Sequence, residues 1–361
     1  MTTYLLAGGG TAGHVNPLLA VADALHERDP DATVLVLGTR EGLEARLVPE
    51  RGYELLLVDK VPFPRRPDRA AVAFPARFSR AIAQVRAHLR DRHVDVVVGF
   101  GGYASAPAYV AANRARIPVV VHEANAKPGL ANVLGARRAA GVGVAFPGTR
   151  LARSHMVGMP LRREIVDLDR AALRAEAAGH FGLEADRPTL LVFGGSLGAQ
   201  RLNEAFGEGH DAAWRDVIAA GWQLIHVTGE RSTLADPGAA GYAVRRYVDR
   251  MDLAFALADL IVSRAGAATV SEISALGIPA VYVPYAVGNG EQALNAAAVV
   301  AAGAALLISD AEFTGDRVRR DVLPLLRDAG RRTAMAAAAA TVGTRSGSEN
   351  LIAMIDHAVA R

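Results

Sequence analysis

The sequence predicts an α/β protein with two doubly wound parallel-sheet domains. Short runs rich in valine, leucine and isoleucine alternate with longer helical segments, a pattern typical of parallel strands joined by crossover helices. The alternation stops once, in a passage punctuated by proline and glycine, and then restarts. With 361 residues, the chain is too long for one ordinary core and suits two Rossmann-like domains of about 150 to 200 residues each.

The first domain is predicted to cover residues 1–160 and the second residues 161–341. The strand-like runs of the first are Tyr4–Ala7, Thr33–Leu37, Tyr53–Val58, Val94–Gly99, Ile117–Val121 and Gly141–Ala145. Those of the second are Thr189–Phe193, Trp222–Thr228, Val244–Val248, Leu260–Ser263, Ala280–Pro284 and Ala304–Ile308. Phe146–Arg163 is interpreted as the link. The two sheets are expected to face a cleft at the carboxyl ends of their strands, where such folds bind ligands.

Composition excludes several classes of protein. The chain has no cysteine, which excludes disulfides, thiol nucleophiles and cysteine zinc sites, and it has no HExxH pattern, so metal chemistry is not indicated. No window of about 19 residues is apolar enough to span a bilayer. The N-terminus lacks the basic lead-in and cleavage site of a signal peptide. We therefore expect a cytosolic protein without a membrane span.

The stretch Tyr4–Pro17, YLLAGGGTAGHVNP, predicts a strand, a tight glycine loop and a helix. Glycines let the backbone approach a ligand closely, and the N-terminus of the following helix favours negative charge. His14 lies beside this loop, where the helix terminus disfavours the imidazolium. A neutral histidine next to an anion-binding loop suggests a general base. The alternative is a histidine that caps the helix or hydrogen-bonds a bound substrate without taking a proton.

The loop also matches the dinucleotide fingerprint formally, through Gly8, Gly10 and Gly13. That fingerprint requires an acidic residue at the end of the second strand to hold the ribose, and the chain has Gly38, Thr39 and Arg40 there. This departure argues against a dehydrogenase.

Two further glycine loops follow strands of the second half. Leu190–Gln200 places Ser196 at the turn, and Ile261–Glu272 places Thr269, Ser271 and Glu272 at the start of a helix. Two such loops in one domain suggest a diphosphate, with the carboxylate holding a vicinal diol. The same residues are also ordinary capping residues, and that alternative stays open.

The positive charge is concentrated at Lys60–Arg92, which has nine Lys or Arg against two Asp. From Phe74 onward, apolar residues recur at helical spacing: Phe74, Phe78, Ile82, Val85 and Leu89. One interpretation is a basic amphipathic helix on an anionic membrane surface. The other is a sheet-covering helix with a solvated arginine face.

Seven motifs carry a resemblance to a known family. They are GGGTAGHVNP, GGYASAP, VHEANAKPGLAN, GMPLR, FGGSLGAQRLN, SRAGAATVSEI and GNGEQALNA. In this order they resemble the MurG family, transferases that add N-acetylglucosamine to undecaprenyl-pyrophosphoryl-N-acetylmuramyl-pentapeptide in peptidoglycan synthesis. The resemblance implies the glycosyltransferase B fold, with UDP-N-acetylglucosamine (UDP-GlcNAc) on the C-terminal half and the lipid-linked acceptor on the N-terminal half. It also implies a last helix, residues 342–361, that returns to the first domain.

The resemblance carries the sugar-nucleotide contacts of the family onto particular positions of this chain. They are Thr11, Ala12, Gly13, Asn125, Arg162, Ser196, Val248, Ala267, Ala268, Thr269, Val270, Ser271, Glu272 and Gln292. Ser196 and the backbone around Ala267 would hold the diphosphate, Glu272 the ribose and Val248 the uracil. Ala12, Leu197 and Glu291 depart from residues common in the family, which leaves the details of sugar contact open.

The implied reaction is direct inverting displacement with His14 as the base, without a cofactor or metal. The resemblance favours the membrane interpretation of the basic helix, with Phe74, Phe78, Ile82 and Val85 as contacts, so that the enzyme is peripheral on the cytoplasmic face of the membrane. Nucleic acid is not an expected partner. The rival functions are a UDP-GlcNAc epimerase of the same fold, a noncatalytic binding subunit and a dehydrogenase.

Overall fold

The computed structural model describes residues 1–64, 66, 68–195, 199–207, 212–285 and 290–360. The chain divides into two compact units. Unit 1 comprises Met1–Arg163 and Arg345–Arg361, and unit 2 comprises Glu164–Thr344. Each unit has its own sheet and its own hydrophobic core.

Among the described residues, unit 1 has a parallel sheet of seven strands in the order β3-β2-β1-β4-β5-β6-β7. The strands are β1 (Thr3–Gly8), β2 (Thr33–Gly38), β3 (Glu54–Leu57), β4 (Val96–Gly101), β5 (Val119–Glu123), β6 (Gly141–Val144) and β7 (His155–Met156). Leu5 of β1 pairs with Leu35 on one side and Val97 on the other.

Helices cover both faces of this sheet, which is why its strands are apolar without alternation. They are α1 (Ala12–Arg28), α2 (Glu44–Glu50), α3 (Arg69–Asp91), α4 (Ser105–Ala115), α5 (Leu130–Ala136) and the C-terminal helix Gly347–Val359. Successive residues of β1 point to opposite faces. Leu5 joins a cluster with residues of α3 and α4, whereas Leu6 joins one with residues of α1 and the C-terminal helix.

Unit 2 repeats this topology, with six strands among its described residues in the order β10-β9-β8-β11-β12-β13, all parallel. They are β8 (Thr189–Phe193), β9 (Gln223–Val227), β10 (Tyr242–Arg245), β11 (Ala258–Ser263), β12 (Ala280–Tyr282) and β13 (Ala305–Leu307). The helices are α6 (Arg163–Val166), α7 (Arg170–Phe181), α8 (Gln200–Gly207), α9 (Trp214–Ala219), α10 (Met251–Leu257), α11 (Ala267–Ala275), α12 (Glu291–Ala301), α13 (Gly315–Arg317), α14 (Leu323–Arg327) and α15 (Ala329–Val342). The predicted fold class is confirmed in both units.

Two details of the predicted strands are wrong. Strand β10 ends at Arg245, whereas the prediction placed it at Val244–Val248. Its pairing with β9 begins at Tyr242, opposite Leu224, and the apolar Val248 lies after the strand. The two-residue strand β7 was not predicted, since a run of two residues carries no periodic signal.

The apolar face of α3 requires a correction to the membrane interpretation. Ile82 and Val85 are buried, with 4% and 0% of their surface exposed, and both belong to the core under β1 and β4. Because these side chains already cover the sheet, they cannot contact a membrane. Phe74 and Phe78 are half-buried at the N-terminal end of the same face and stack with ring centroids 5.3 Å apart. Within the described residues, no helix is long and apolar enough to cross a membrane.

Candidate active site

The carboxyl end of β1 leads into a glycine loop and then into α1. Gly10 has a φ of +91°, a left-handed conformation that favours glycine. Thr11 is the N-cap residue of α1 in extended conformation, and Ala12 and Gly13 are the first helical residues. Thr11 and Ala12 are exposed and Gly13 is half-buried. The first N–H groups of a helix have no carbonyl partner within it, so this end of α1 can accept an anionic or polar ligand.

His14 lies in the first turn of α1 and is half-buried. Its Nδ1 atom is 3.2 Å from the carbonyl oxygen of Gly9 and 3.3 Å from Oγ1 of Thr11. Because a carbonyl oxygen can only accept, the contact with Gly9 requires the proton on Nδ1. Nε2 then carries the lone pair of the neutral ring. The geometry therefore gives His14 the tautomer of a general base at Nε2.

Nε2 of His14 lies beside the end of β4. A Cβ atom built on Gly101 would be 3.0 Å from Nε2 and 3.4 Å from Nδ2 of Asn132. Gly101 itself has a φ of +96°. The absence of a side chain at this position thus leaves space where an acceptor hydroxyl could approach the imidazole.

A buried polar network supports the end of β5. The Glu123 carboxylate accepts hydrogen bonds from the N–H groups of Asn125 and Gly129 and from Nδ2 of Asn132, each at 2.9 Å. Tyr109 donates its hydroxyl proton to Oδ1 of Asn132 at 2.6 Å. Asn125, a predicted sugar contact, is half-buried directly beside this network.

His122 is a second histidine of unit 1, but its chemistry differs from that of His14. It is fully buried, and Nε2 donates to the carbonyl oxygen of Gly158 at 3.0 Å. Burial lowers the pKa of His122 to about 4, because the charged ring would lose its hydration. His122 is therefore neutral at physiological pH and holds the segment around Gly158, which precedes the half-buried Arg162 of the GMPLR motif.

Unit 2 has a cavity of about 620 Å³ at the carboxyl ends of its strands, a size suited to a small ligand. Arg264, directly after β11, has a side chain only 9% exposed. It forms an ion pair with Asp310, donates to the carbonyl oxygen of Val283 at 3.0 Å, and lies over the ring of Tyr285 at 5.4 Å. The predicted contact Gln292 lines the same cavity, and its Oε1 accepts from the N–H of Tyr285 at 2.9 Å.

The glycine loop after β11 leads into α11, whose first residue is Ala267. Ala267 and Val270 are buried, whereas the predicted contacts Ala268, Thr269, Ser271 and Glu272 are half-buried. Gly266 caps the helix without a side chain, so backbone N–H groups are the donors at this terminus. Val248 is buried just beyond β10. Ser196, the predicted diphosphate contact of the other loop, lies outside the described residues.

The structure adds site residues that the sequence did not single out. Arg264 and Asp310 form the wall of the unit 2 cavity, and Glu123 and Asn132 form the network beside Asn125. The available signal was a charged residue directly after a strand for Arg264 and a charged residue at the end of a strand for Glu123. Asp310 had none, because its partner is 46 residues away. No cluster of three or more potential metal ligands occurs in the part of the chain that the structure describes.

Two sequence models of one family match the chain. The glycosyltransferase family 28 N-terminal domain matches residues 4–144, and the glycosyltransferase family 28 C-terminal domain matches residues 189–351. The first match lies in unit 1, and the second covers most of unit 2 and the first residues of the C-terminal segment of unit 1. Together they contain all three glycine loops of the sequence.

Individual proteins show the same similarity over the full length. The UDP-N-acetylglucosamine--N-acetylmuramyl-(pentapeptide) pyrophosphoryl-undecaprenol N-acetylglucosamine transferase of Clavibacter michiganensis subsp. michiganensis is 60% identical over 361 residues, 100% of this chain and 97% of that protein. Among solved structures, MurG of Acinetobacter baumannii is 29% identical, with a TM-score of 0.80 and 99% of each chain covered. The UDP-GlcNAc 2-epimerase of Neisseria meningitidis, at 12% identity, shares the fold alone, with a TM-score of 0.67 over 98% of this chain and 99% of that one. From the two family matches and the 60% identity, the chain belongs to glycosyltransferase family 28.

Proposed function

We propose that this protein transfers N-acetylglucosamine from UDP-GlcNAc to the C4 hydroxyl of MurNAc in undecaprenyl-pyrophosphoryl-MurNAc-pentapeptide, with inversion at the anomeric carbon. The relative that is 60% identical over the whole chain is named for this transfer between the same donor and acceptor classes. Unit 1 is assigned to the acceptor and unit 2 to the nucleotide. The observation that carries the chemistry is His14, whose Nδ1 faces a carbonyl oxygen and whose Nε2 faces the space beside Gly101.

In the proposed step, the acceptor hydroxyl oxygen forms a bond to the anomeric carbon while the bond from that carbon to the UDP oxygen breaks. Nε2 of His14 takes the hydroxyl proton, and UDP leaves with the electron pair of the broken bond. The N-terminus of α11 in unit 2 can stabilise the developing negative charge on UDP, because its free N–H groups and dipole are fixed before the reaction.

The nucleotide is assigned to the carboxyl edge of the unit 2 sheet. The half-buried carboxylate of Glu272 can accept from both hydroxyls of a ribose, and the start of α11 from Ala267 to Thr269 can donate to a diphosphate. Gln292 lines the cavity and presents its amide there. The backbone contact of Val248 with uracil is assigned from the family resemblance. Ser196 completes the donor contacts assigned to unit 2. For Thr11, Ala12, Gly13, Asn125 and Arg162 of unit 1, the sugar-nucleotide role stays a prediction from the family resemblance.

We assign membrane contact to the N-terminal end of α3, on the cytoplasmic face of the membrane. Phe63, Phe74 and Phe78 form a half-buried aromatic cluster with ring centroids 5.3 to 6.2 Å apart. Val72, in the first turn of α3, is 84% exposed. The exposed arginines of this end, among them Arg69, Arg77 and Arg80, complement an anionic surface. An acceptor with a prenyl tail requires such a peripheral location.

The test measures UDP release from UDP-GlcNAc with and without a short-chain lipid-linked muramyl-pentapeptide, for the parent and for His14→Ala. We expect release only with acceptor and a fall of about 10²- to 10⁴-fold in kcat for the variant, with donor binding retained. Release that is indifferent to acceptor would reject the transferase and favour the epimerase alternative. A fully active His14→Ala would keep the transferase but move the base to another residue.

A further inference from the structure

The side chain of Glu44 joins two loops at the carboxyl edge of the unit 1 sheet. Glu44 is the first residue of α2 and is 1% exposed. Its carboxylate accepts three hydrogen bonds: Oε1 accepts from the N–H and the hydroxyl of Thr39, both at 2.9 Å, and Oε2 accepts from the N–H of Gly10 at 2.8 Å. Among the described residues, no lysine or arginine forms a salt bridge with it. Burying a carboxylate costs free energy because it loses its hydration, and the three hydrogen-bond donors offset that cost here.

The surrounding backbone is built to admit this carboxylate. A Cβ atom on Gly9, Gly38 or Gly42 would overlap the Glu44 side chain, so all three positions lack the space for any other residue. Gly9 and Gly10 belong to the loop after β1, whereas Gly38 is the last residue of β2 and Gly42 belongs to the loop that follows it. The side chain thus fills a pocket formed by both loops and fastens one to the other.

The bond to Gly10 has a direct consequence for His14. The N–H of Gly10 and the carbonyl of Gly9 belong to the same peptide group, and that carbonyl oxygen lies 3.2 Å from Nδ1 of His14. In a trans peptide the N–H and C=O point in opposite directions. Glu44 therefore holds one side of the peptide plane while His14 donates to the other side.

We propose that Glu44 is a positioning residue for His14, acting through the Gly9–Gly10 peptide group. By fixing the plane of this peptide, the carboxylate keeps the Gly9 oxygen aimed at Nδ1, which keeps the proton on Nδ1 and the lone pair on Nε2. The charge of Glu44 also polarises the peptide, which strengthens the hydrogen bond on its far side. The inference deepens the proposed function, on whose assignment of His14 as base its catalytic meaning rests.

The decisive variant is Glu44→Gln, with Thr39→Val as its matched control. A glutamine can accept both bonds from Thr39 through its amide oxygen, but its NH₂ group then faces the N–H of Gly10, and the two donors repel. Thr39→Val removes one hydrogen bond from the other oxygen and leaves the Gly10 contact intact. Both variants disturb the same buried carboxylate site, but only the first releases the peptide that holds His14.

Two readouts separate positioning from a merely structural role. The first is the tautomer of His14, read from two-bond ¹H–¹⁵N correlations of the ten histidines, with the signals of His14 assigned by their absence in His14→Gln. The second is the split between kcat and the KM for UDP-GlcNAc. For Glu44→Gln we expect a mixture of tautomers and a fall of about 10- to 100-fold in kcat, since small misplacements of a catalytic group have effects of this size. We expect a KM within about threefold of the parent, because the donor is assigned chiefly to unit 2.

For Thr39→Val we expect the parental tautomer and a kcat within about threefold of the parent, with a lower melting temperature. If Glu44→Gln keeps the parental tautomer and full kcat per folded molecule, the positioning role is rejected. If Glu44→Gln does not fold, Glu44→Asp replaces it, because the shorter side chain keeps the charge but cannot reach both loops. A mixture of tautomers with a lower kcat would then support the positioning role, and a parental tautomer with full kcat would reject it. A fully active His14→Gln combined with an altered tautomer in Glu44→Gln would reject the catalytic assignment while leaving the positioning role of Glu44 standing.

Discussion

His14 and Gly101 lie so close together that the imidazole occupies part of the region a side chain at position 101 would need. A Cβ atom on Gly101 would be 3.0 Å from Nε2 of His14, the nitrogen that carries the lone pair when Nδ1 donates to Gly9. Nε2 of His14 at the start of α1 is therefore accessible on this side only because the residue at the end of β4 is a glycine.

The first prediction concerns Gly101→Ala. The added methyl group would crowd Nε2 and block the approach of an acceptor hydroxyl, so we expect kcat to fall by about 10- to 100-fold with the KM for UDP-GlcNAc nearly unchanged. Steady-state kinetics with both substrates varied would measure this. The control is Gly148→Ala, since Gly148 also has a positive φ, +80°, but nothing lies within 4 Å of its Cβ position. Equal losses in both variants would mean that backbone strain, and not the space beside His14, causes the effect.

The glycine loops could be predicted from the sequence because a glycine-rich stretch between a strand and a helix is a local signal. The partner of the first loop could not. The dinucleotide fingerprint places an acidic residue at the end of β2, where this chain has Gly38, Thr39 and Arg40. The buried carboxylate instead comes from Glu44, a few residues later at the start of α2. Only the three-dimensional packing of two loops brings it to Gly10.

The amphipathic pattern of α3 shows a second limit. Helical spacing predicts that one face is apolar but does not determine whether that face covers a sheet or lies on a membrane. The β-strands of unit 1 need apolar cover on both faces, and Ile82 and Val85 supply it. Toward its N-terminus, α3 leaves Val72 exposed and Phe74 half-buried.

The second prediction concerns Asp310→Asn in unit 2. The ion pair with Asp310 holds Arg264 against Tyr285 and the cavity wall. Removing the charge of Asp310 leaves the largely buried guanidinium of Arg264 without its anionic partner. The guanidinium will then move or become hydrated. Because the nucleotide is assigned to this cavity, we expect the KM for UDP-GlcNAc to rise about tenfold, with a smaller change in the KM for the acceptor.

The control for Asp310→Asn is Asp216→Asn. Asp216 pairs with Arg319 at 2.8 Å in the same unit, but both side chains are about one third exposed. A surface pair of this kind contributes at most about 1 kcal/mol. Neither Asp216 nor Arg319 lines the unit 2 cavity. A rise in the donor KM for Asp216→Asn as large as for Asp310→Asn would contradict the assignment of the nucleotide to the cavity.

The third prediction concerns the pH dependence of stability. His226 is buried between Tyr242, whose hydroxyl donates to Nδ1 at 2.9 Å, and Asn203, whose Oδ1 accepts from Nε2 at 3.0 Å. Burial lowers the pKa of His226 to about 3, whereas the pKa in the unfolded chain is about 6.5. The unfolded chain thus binds one more proton between these pH values. The contribution to stability is complete above about pH 6.5 and falls by about 1.4 kcal/mol per pH unit as the pH decreases toward 3.

Urea unfolding followed by tryptophan fluorescence measures this dependence in unit 2, because both tryptophans of the chain, Trp214 and Trp222, lie there. In His226→Gln, the slope of the unfolding free energy against pH between pH 4 and 6 should be smaller by about 1.4 kcal/mol per pH unit. An unchanged slope would show that the pKa of His226 is the same in the folded and the unfolded chain. His122 serves as the comparison, since His122→Gln changes unit 1 and should leave this fluorescence slope unaltered.

The fourth prediction concerns membrane binding through the N-terminal end of α3. Val72 is 84% exposed and its removal leaves the core intact, so Val72→Ser should fold with parental stability. If this end of α3 enters the bilayer surface, the variant loses the burial of one valine side chain, which corresponds to about a tenfold weaker partition onto vesicles containing phosphatidylglycerol. Flotation measures the bound fraction. Val359→Ser, at an exposed valine of the C-terminal helix, is the matched control and should bind as the parent does.

Ile82→Ser is unsuitable for the flotation experiment, because Ile82 belongs to the core of unit 1. Ile82 is 4% exposed within the core of unit 1, so its replacement by serine should destabilise the protein by about 2 to 5 kcal/mol. Any loss of vesicle binding would then follow from unfolding. Unchanged binding of Val72→Ser, and of Phe74→Ser combined with Phe78→Ser, would place the membrane contact outside α3. Weaker binding of Val72→Ser together with parental binding of Val359→Ser would support the contact through the first turns of the helix. Weaker binding of the double phenylalanine variant supports it only if that variant unfolds in urea as the parent does, because both rings pack against the core of unit 1.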